Sequence, residues 1–323
     1  LFYGKMVRRK RCMILIKFYD LNNKTCQETK KLANNYWIDM IDPNEEEIKS
    51  ICDLLKLEEI DLKKVLDKSE LPHIEQEQNA TLYIFNIPYV ITNNGKKKYR
   101  SYPFGIFYQE KGLISVSLKE HPLKEVLQKE LLNENNWRNM EDFSIFFIAK
   151  TTEYFIRYLN EIQDDIIEKE KDLIKSPSNK DLERMLTLQK SLLYFTTSLQ
   201  GNEMLLEKLE NNNNLKASSL DNLKDAQIEI KQAIRMASIY REILENTMDT
   251  YSSIISNNLN DIMKFLTSVT LVISIPTMIS SFLGMNVTIG DFASNPYSFL
   301  LIILICLLVT ILIVILLKKK NLL

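Results

Sequence analysis

The stretch FLTSVTLVISIPTMISSFL, Phe265 to Leu283, decides the architecture of this chain, because it is followed at once by Gly284-Met285-Asn286 and then by a second apolar run, Tyr297 to Leu317. Each run matches the ~20 residues a helix needs to cross a hydrocarbon core ~30 Å thick. From Phe265 to Leu317 the single charged residue is Asp291, whereas the preceding sequence is charge-rich throughout. The connection between the runs, Gly284 to Pro296, is short and rich in loop formers, so the two spans form a hairpin. Lys264 precedes the first span and Lys318, Lys319 and Lys320 follow the second, while the connection has no Lys or Arg. Basic flanks face the cytoplasm, which predicts a multi-pass protein of the cell (inner) membrane with both termini cytoplasmic. The early basic cluster Arg8-Arg9-Lys10-Arg11 is followed by an apolar run too short and too soon charged for a signal peptide.

Composition excludes several function classes. The 323 residues hold 41 Lys+Arg and 42 Asp+Glu, a net charge of −1, which leaves no global basic footprint for nucleic acid. Seven Gly, with no GxxxxGK[ST] and no GxGxxG, leave no phosphate-cradling loop. Two His, His73 and His121, cannot supply a His-rich metal site, and Cys12, Cys26, Cys52 and Cys306 show no CxxC pairing, so four reduced thiols are expected. No nucleophile, base and orienter are visible from spacing, and the chain is read as no enzyme and as having no cofactor.

Outward from the spans, residues 1–140 read as an α/β domain. Met13 to Tyr19, Thr81 to Val90, Phe104 to Gln109 and Leu113 to Leu118 are β-branched and aromatic runs, with a hairpin turn at Glu110-Lys111-Gly112. Asp42 as N-cap with Pro43 at the first helical position opens a helix, and Leu54 to Asp67 is helical by period. One sheet with helices on its faces is the economical assembly. Residues 141–214 read as an antiparallel helical pair broken at Ser176-Pro177-Ser178. Residues 215–284 read as one long stalk helix whose final part, 265–284, is the first span. An external loop at 285–296, the second span at 297–317 and a basic tail at 318–323 complete the chain. At 1.5 Å per residue the long helix is about 100 Å from end to end.

That helix carries two rows in steps of 3 and 4. An apolar row, Leu220, Leu223, Ile230, Ile234, Ala237, Leu244, Met248, Tyr251, Ile255 and Ile262, continues as Phe265, Val269, Val272, Pro276, Ile279 and Leu283, and this face packs against something. On the opposite face lie Asn260, Met263, Thr267, Thr270, Ser274, Thr277, Ser281 and Gly284. One Ser or Thr satisfies itself on its own i−4 carbonyl, but a whole column reads either as an aqueous pore lining or as a small-residue packing seam. In a pore, Met263 with Leu266 forms a flexible apolar constriction at the cytoplasmic mouth, suited to gating by dewetting.

At the outer end of the polar row, in the context Ser281-Phe282-Leu283-Gly284-Met285-Asn286-Val287, the sequence resembles the CorA family of magnesium transport proteins. That family's signature is GMN closing the first of two C-terminal spans. The likeness extends to Asn260-Asp261-Ile262-Met263-Lys264, to Trp37-Ile38-Asp39 followed by Pro43-Asn44-Glu45-Glu46-Glu47, and to Leu193-Tyr194-Phe195-Thr196-Thr197-Ser198-Leu199. It covers essentially the whole chain.

The resemblance implies a funnel-shaped homopentamer in the lipid membrane, with the long helix of each subunit lining a central pore. It implies that Gly284, Met285 and Asn286 form the selectivity filter, where five Asn286 carbonyls meet a hydrated Mg²⁺. Asn260 falls where the family has its inner polar ring, Met263 at its hydrophobic gate and Thr277 at a pore hydroxyl. The expected function is uptake of Mg²⁺, with Co²⁺ and Ni²⁺ as further divalent candidates, driven by the membrane potential. Mg²⁺ surrenders its waters reluctantly, so neutral oxygens that touch its water shell hold it weakly enough for release.

Three departures stand out. The acidic outer loop of well-known members is reduced to Asp291, and Ser274 stands where some members narrow the pore with an apolar side chain. Asp225 sits where the family places a regulatory Mg²⁺ ligand, but its partner positions read as Lys63 and Lys64, which suggests a Lys64 to Asp225 ion pair between subunits in place of the metal. The alternatives are a proton-coupled Zn²⁺ transporter of the ZntB type and a non-conducting membrane scaffold.

Overall fold

The computed structural model describes residues 15–21, 27–29, 33–93, 96–132, 139–175, 179–211, 217–285 and 297–320. The chain divides into two compact units, Leu1–Asn246 and Thr247–Leu323.

The first unit is built on a seven-stranded sheet. Its strands are β1 (Leu15–Asp20), β2 (Gln27–Thr29), β3 (Tyr36–Ile41), β4 (His73–Gln76), β5 (Thr81–Asn93), β6 (Lys96–Gln109) and β7 (Gly112–Ser117), in the order β2-β1-β3-β7-β6-β5-β4. All neighbours are antiparallel except β3 and β7, which run parallel with Ile38 opposite Ile114. β5 is buried without interruption from Leu82 to Tyr89, because the sheet is covered on both faces. On one face Leu82, Ile84, Phe107, Ile114 and Val116 pack against Ile48, Ile51 and Cys52 of α1 (Glu45–Leu55) and Leu62 and Val65 of α2 (Glu59–Leu66). Burial there pushes the Cys52 thiol up to about 11. α2 lies so close that a Cβ on Gly105 would stand 2.4 Å from Val65 Cγ2.

α1 starts later than its sequence suggests. Asn44, not Asp42, is the N-cap: its Oδ1 accepts from Glu47 N–H at 2.9 Å, and Glu47 Oε2 accepts from Asn44 N–H at 3.0 Å. This reciprocal pair satisfies two otherwise orphaned donors. Asp42 still belongs to the end of β3, donating its N–H to Ser117 O at 2.8 Å, with a left-handed φ of 49°.

On the opposite face Phe85 and Phe104 meet Phe147. Elsewhere on the β5–β6 hairpin Tyr99 meets Phe195, which itself stands edge-on to Phe155. Those partners come from α4 (Met140–Lys175) and α5 (Asn179–Glu210), while α3 (Leu123–Leu132) follows β7. Trp37 is 1% exposed and donates to Ser115 Oγ at 2.9 Å. Trp137 lies outside the described residues.

α6 is one helix of 67 residues, Ala217–Leu283. Within the first unit it buries Leu223, Ala226, Ile230, Ala233, Ala237, Tyr240 and Leu244. Four members of the expected apolar row are therefore in place. The alternate seats are Ala226, Ala233 and Tyr240, not Gln227, Ile234 and Arg241. Tyr240 donates to Gln163 Oε1 at 2.8 Å and Gln227 to Glu210 Oε2 at 2.8 Å, tying α6 to α4 and α5. Two acids of α4 are engaged in ion pairs: Asp165 takes the Arg184 guanidinium, and Glu161 takes Lys97 at 2.7 Å.

The second unit holds the end of α6 and α7 (Ser298–Lys319), both long and apolar enough to cross a membrane. Exposure falls along one row of each helix: Ser268, Val269, Val272, Pro276, Ile279 and Leu283 on α6, and Ile302, Cys306, Val309, Thr310, Ile313 and Leu317 on α7. Phe265, expected in the α6 row, is 58% exposed.

Candidate functional site

Helical spacing alone puts Asn260, Met263, Thr267, Thr270, Ser274, Thr277 and Ser281 on one face of α6, and every one of them is exposed in the chain. Four of the hydroxyls turn their protons inward along the helix. Thr267 donates to Met263 O at 2.7 Å, Thr270 to Leu266 O at 2.8 Å, Ser274 to Thr270 O at 2.7 Å and Thr277 to Ile273 O at 2.8 Å. With the O–H used, each oxygen offers only lone pairs outward, and such a column accepts hydrogen bonds without carrying charge. Met263 and Leu266, 57% and 56% exposed, form an apolar collar one turn before it. Asp261 and Lys264 pair at 3.1 Å just before the apolar segment.

The helix closes at Gly284, whose N–H donates to Ser280 O at 3.0 Å, and Met285 is 55% exposed. A Cβ on Gly284 would meet nothing in the chain closer than Ser280 O at 3.4 Å. The chain's own packing therefore does not demand glycine there. Asn286, and with it the rest of the stretch 286–296 including Asp291, lies outside the described residues.

In the first unit Lys64 and Asp225 have separate surroundings. The Lys64 ammonium binds Asp61 Oδ1 at 3.0 Å and Glu75 Oε2 at 2.7 Å, which raises the lysine and holds the Glu75 carboxyl below its usual range. Asp61 is 3% exposed, and the carboxylate oxygens of Asp61, Glu75 and Glu77 lie within 4.8 Å of one another, so the ammonium sits among three acids. Asp225 instead lines a cavity of about 290 Å³ with Asp142, Glu153, Asn222 and Glu229. One Asp142 oxygen is buried there without a hydrogen-bond partner among the described residues, and Lys150 is held by Glu153 at 2.6 Å. Neither Asp142 nor Asp61 stood out in the sequence, because each gains its meaning from elements distant along the chain.

The comparisons with known proteins agree with this geometry. A family profile described as CorA-like Mg2+ transporter protein matches residues 33–319. The cobalt/magnesium transport protein CorA of Methanocaldococcus jannaschii is 28% identical over 273 residues, covering 82% of this chain and 84% of that protein. The complete structure of the CorA magnesium transporter from the same organism superposes with a TM-score of 0.79 at 23% identity, over 95% of this chain and 98% of that one. The cytoplasmic domain of ZntB from Vibrio parahaemolyticus shares the fold more distantly, with a TM-score of 0.56 at 13% identity over 76% of this chain and 99% of that one. With the long helix, the two apolar segments and a profile match over nearly its whole length, the chain belongs to the family of CorA-like Mg²⁺ transporter proteins.

Proposed function

We propose that this chain assembles as a homopentamer in the cell (inner) membrane and conducts hydrated Mg²⁺ into the cytoplasm, with Co²⁺ and Ni²⁺ as competing cargo. The observation that carries this reading is the exposed hydroxyl column of α6, with four of its protons committed to i−4 carbonyls. The waters around a Mg²⁺ ion present their hydrogens outward, and a wall of uncharged acceptors matches them. Charge-free contacts also keep the ion mobile. Gly284, Met285 and Asn286 form the selective outer mouth in this reading, Asn260 and the collar of Met263 and Leu266 the inner one. Two charges moving inward across ~100 mV release roughly 4 to 5 kcal/mol, enough to drive uptake without a nucleotide.

Cytoplasmic Mg²⁺ acts in the same reading as a regulatory ligand at Asp225, whose cavity holds further carboxylates. Within its own chain Lys64 is engaged by Asp61 and Glu75.

The test is potential-driven Mg²⁺ influx into proteoliposomes loaded with a Mg²⁺-sensitive dye, comparing the intact chain with Asn286→Ala. Influx that the substitution abolishes supports the pore; no influx from a folded oligomer at any imposed potential overturns it. Likeness to the ZntB cytoplasmic domain keeps one second reading in play, proton-coupled Zn²⁺ transport. It requires Zn²⁺ flux that a pH gradient drives and a membrane potential alone does not.

A further inference from the structure

β4 is short. Its pairing with β5 ends at His73 opposite Ile84, while β5 itself continues to Asn93. Beyond that point a cleft of about 490 Å³ opens between the turn Lys68–Leu71, the β5–β6 hairpin and α5. Three observations describe its chemistry.

The first is its charge. Arg100 and Lys68 both line the cleft, and Lys68 has no ion pair among the described residues. The one carboxylate in the lining, Glu70, is turned elsewhere: it accepts from Leu71 N–H at 3.2 Å and stands 3.7 Å from His73 Nδ1. The second is preorganisation. The Arg100 guanidinium lies 4.4 Å over the Tyr194 ring and gives one N–H to Tyr99 O at 3.2 Å, which fixes its plane and leaves further N–H groups for a ligand. The third is an amide in the cleft wall. Asn86 lines the cleft, and Asn202 takes its backbone N–H and C=O, so its side-chain amide stays available to a ligand. Three of the cleft's hydroxyls are satisfied within the chain, Ser198 donating to Ser101 Oγ at 2.5 Å, Ser101 to Tyr194 O at 3.4 Å and Thr197 to Leu193 O at 3.0 Å.

We propose that this cleft binds a phosphate-bearing small molecule, with Arg100 and Lys68 neutralising the oxyanion and the Asn86 amide donating to it. A guanidinium fork, an ammonium and an amide N–H lining one cleft are the donor types a phosphate group takes. Inorganic phosphate and the phosphate tail of a nucleotide share this chemistry. The exposed ring of Tyr194 and the exposed Leu71 beside the cations supply a surface on which a nucleotide base rests. The site is independent of whether the chain conducts.

The experiment is calorimetric titration of the full chain in detergent with sodium phosphate and, separately, with adenosine 5′-diphosphate, for the intact protein, Arg100→Gln and Lys68→Gln. Lys68 is exposed, so its substitution leaves the core intact. Saturable binding that each substitution weakens about tenfold or more, and that rising salt weakens, is the expected result. Diphosphate binding about tenfold tighter than phosphate shows that the cleft takes more than one phosphate group, and equal affinities identify a single phosphate group as the ligand. No binding of either at millimolar concentration, or binding that neither substitution alters, overturns the proposal.

Discussion

Asn202 on α5 closes the open edge of β5 at Asn86: its Oδ1 accepts the Asn86 N–H at 2.9 Å and its Nδ2 donates to the Asn86 C=O at 2.8 Å. One side-chain amide thus does what the next strand does further along, where β4 still pairs with β5. Asn202 is fully buried, so both backbone groups depend on it. Asn202→Ala is expected to lower stability by roughly 2 to 4 kcal/mol, since two buried backbone groups lose their partner. Asn202→Asp keeps the acceptor but turns a carboxylate on a carbonyl, and should lie lower still. The unfolding midpoint of the solubilised protein, followed by near-ultraviolet circular dichroism, reads both.

Gly201 makes that contact reachable. A Cβ at this position would stand 2.6 Å from Pro72 Cδ and 2.8 Å from its Cγ, and the proline ring has little room to yield. Gly201→Ala should therefore push α5 away from the end of β4 and cost about 1 to 3 kcal/mol despite alanine's better helix propensity. A midpoint equal to or above that of the intact chain refutes the tight fit.

Lys64 is expected to act as an internal counter-ion. In Lys64→Met the buried Asp61 loses its partner, and stability should fall by about 1 to 3 kcal/mol, less than for a fully enclosed pair because the Lys64 side chain is 30% exposed. With the ammonium gone, the close carboxylates of Asp61, Glu75 and Glu77 should take a divalent cation, so millimolar Mg²⁺ should raise the midpoint of the variant more than that of the intact chain. If Lys64 instead pairs with Asp225 of a neighbouring subunit, the Mg²⁺ dependence of flux changes while the Mg²⁺ response of the midpoint does not.

His121 sets a pH limit. Its Nε2 donates to Pro88 O at 2.6 Å and its Nδ1 accepts from Leu123 N–H at 3.0 Å, an arrangement that holds the neutral ring. Burial lowers it from 6.5 to about 4. The unfolded chain therefore binds a proton below pH 6.5 that the folded chain refuses until about 4. Stability from this group is full above pH 6.5 and falls as the pH drops towards 4, by about 3 kcal/mol in all. His121→Gln should flatten that part of the stability profile.

Gly284→Ala separates folding from conduction. The added Cβ makes only ordinary van der Waals contact in the chain, 3.4 Å from Ser280 O and 3.6 Å from Ser281 O, so the midpoint should move by no more than about 0.5 kcal/mol. If five copies converge at this position, the methyl groups crowd the mouth, and Mg²⁺ influx should fall about tenfold or more. Unchanged influx would show that nothing passes close to Gly284.

Much of this protein was readable from residue order because membrane helices obey a local rule. A span must be apolar for about 20 residues and must satisfy its own backbone, so Phe265 to Leu283 and Tyr297 to Leu317 declare themselves without help from the rest of the chain. The polar face of α6 followed in the same way, since 3.6 residues per turn fixes which side chains share a side. Asn44 is an instructive miss: Asp42-Pro43 looks like a helix start, but the box formed with Glu47 lies two residues on, and the backbone of Asp42 is claimed by β7. β2 and β4, of three and four residues, are too short to carry a periodic signal, and β3 is buried through almost its whole length instead of alternating.

Sequence by itself determined the class of the molecule: an α/β domain, long helices and two apolar spans, with one column of hydroxyls on the first. Tertiary structure decided which charges meet. Lys64 reaches Glu75 across eleven residues, Asn202 reaches Asn86 across 116, and Asp142 shares a cavity with Asp225. No spacing rule reports such pairs, because they form only where packing of the sheet and helices brings distant backbone together.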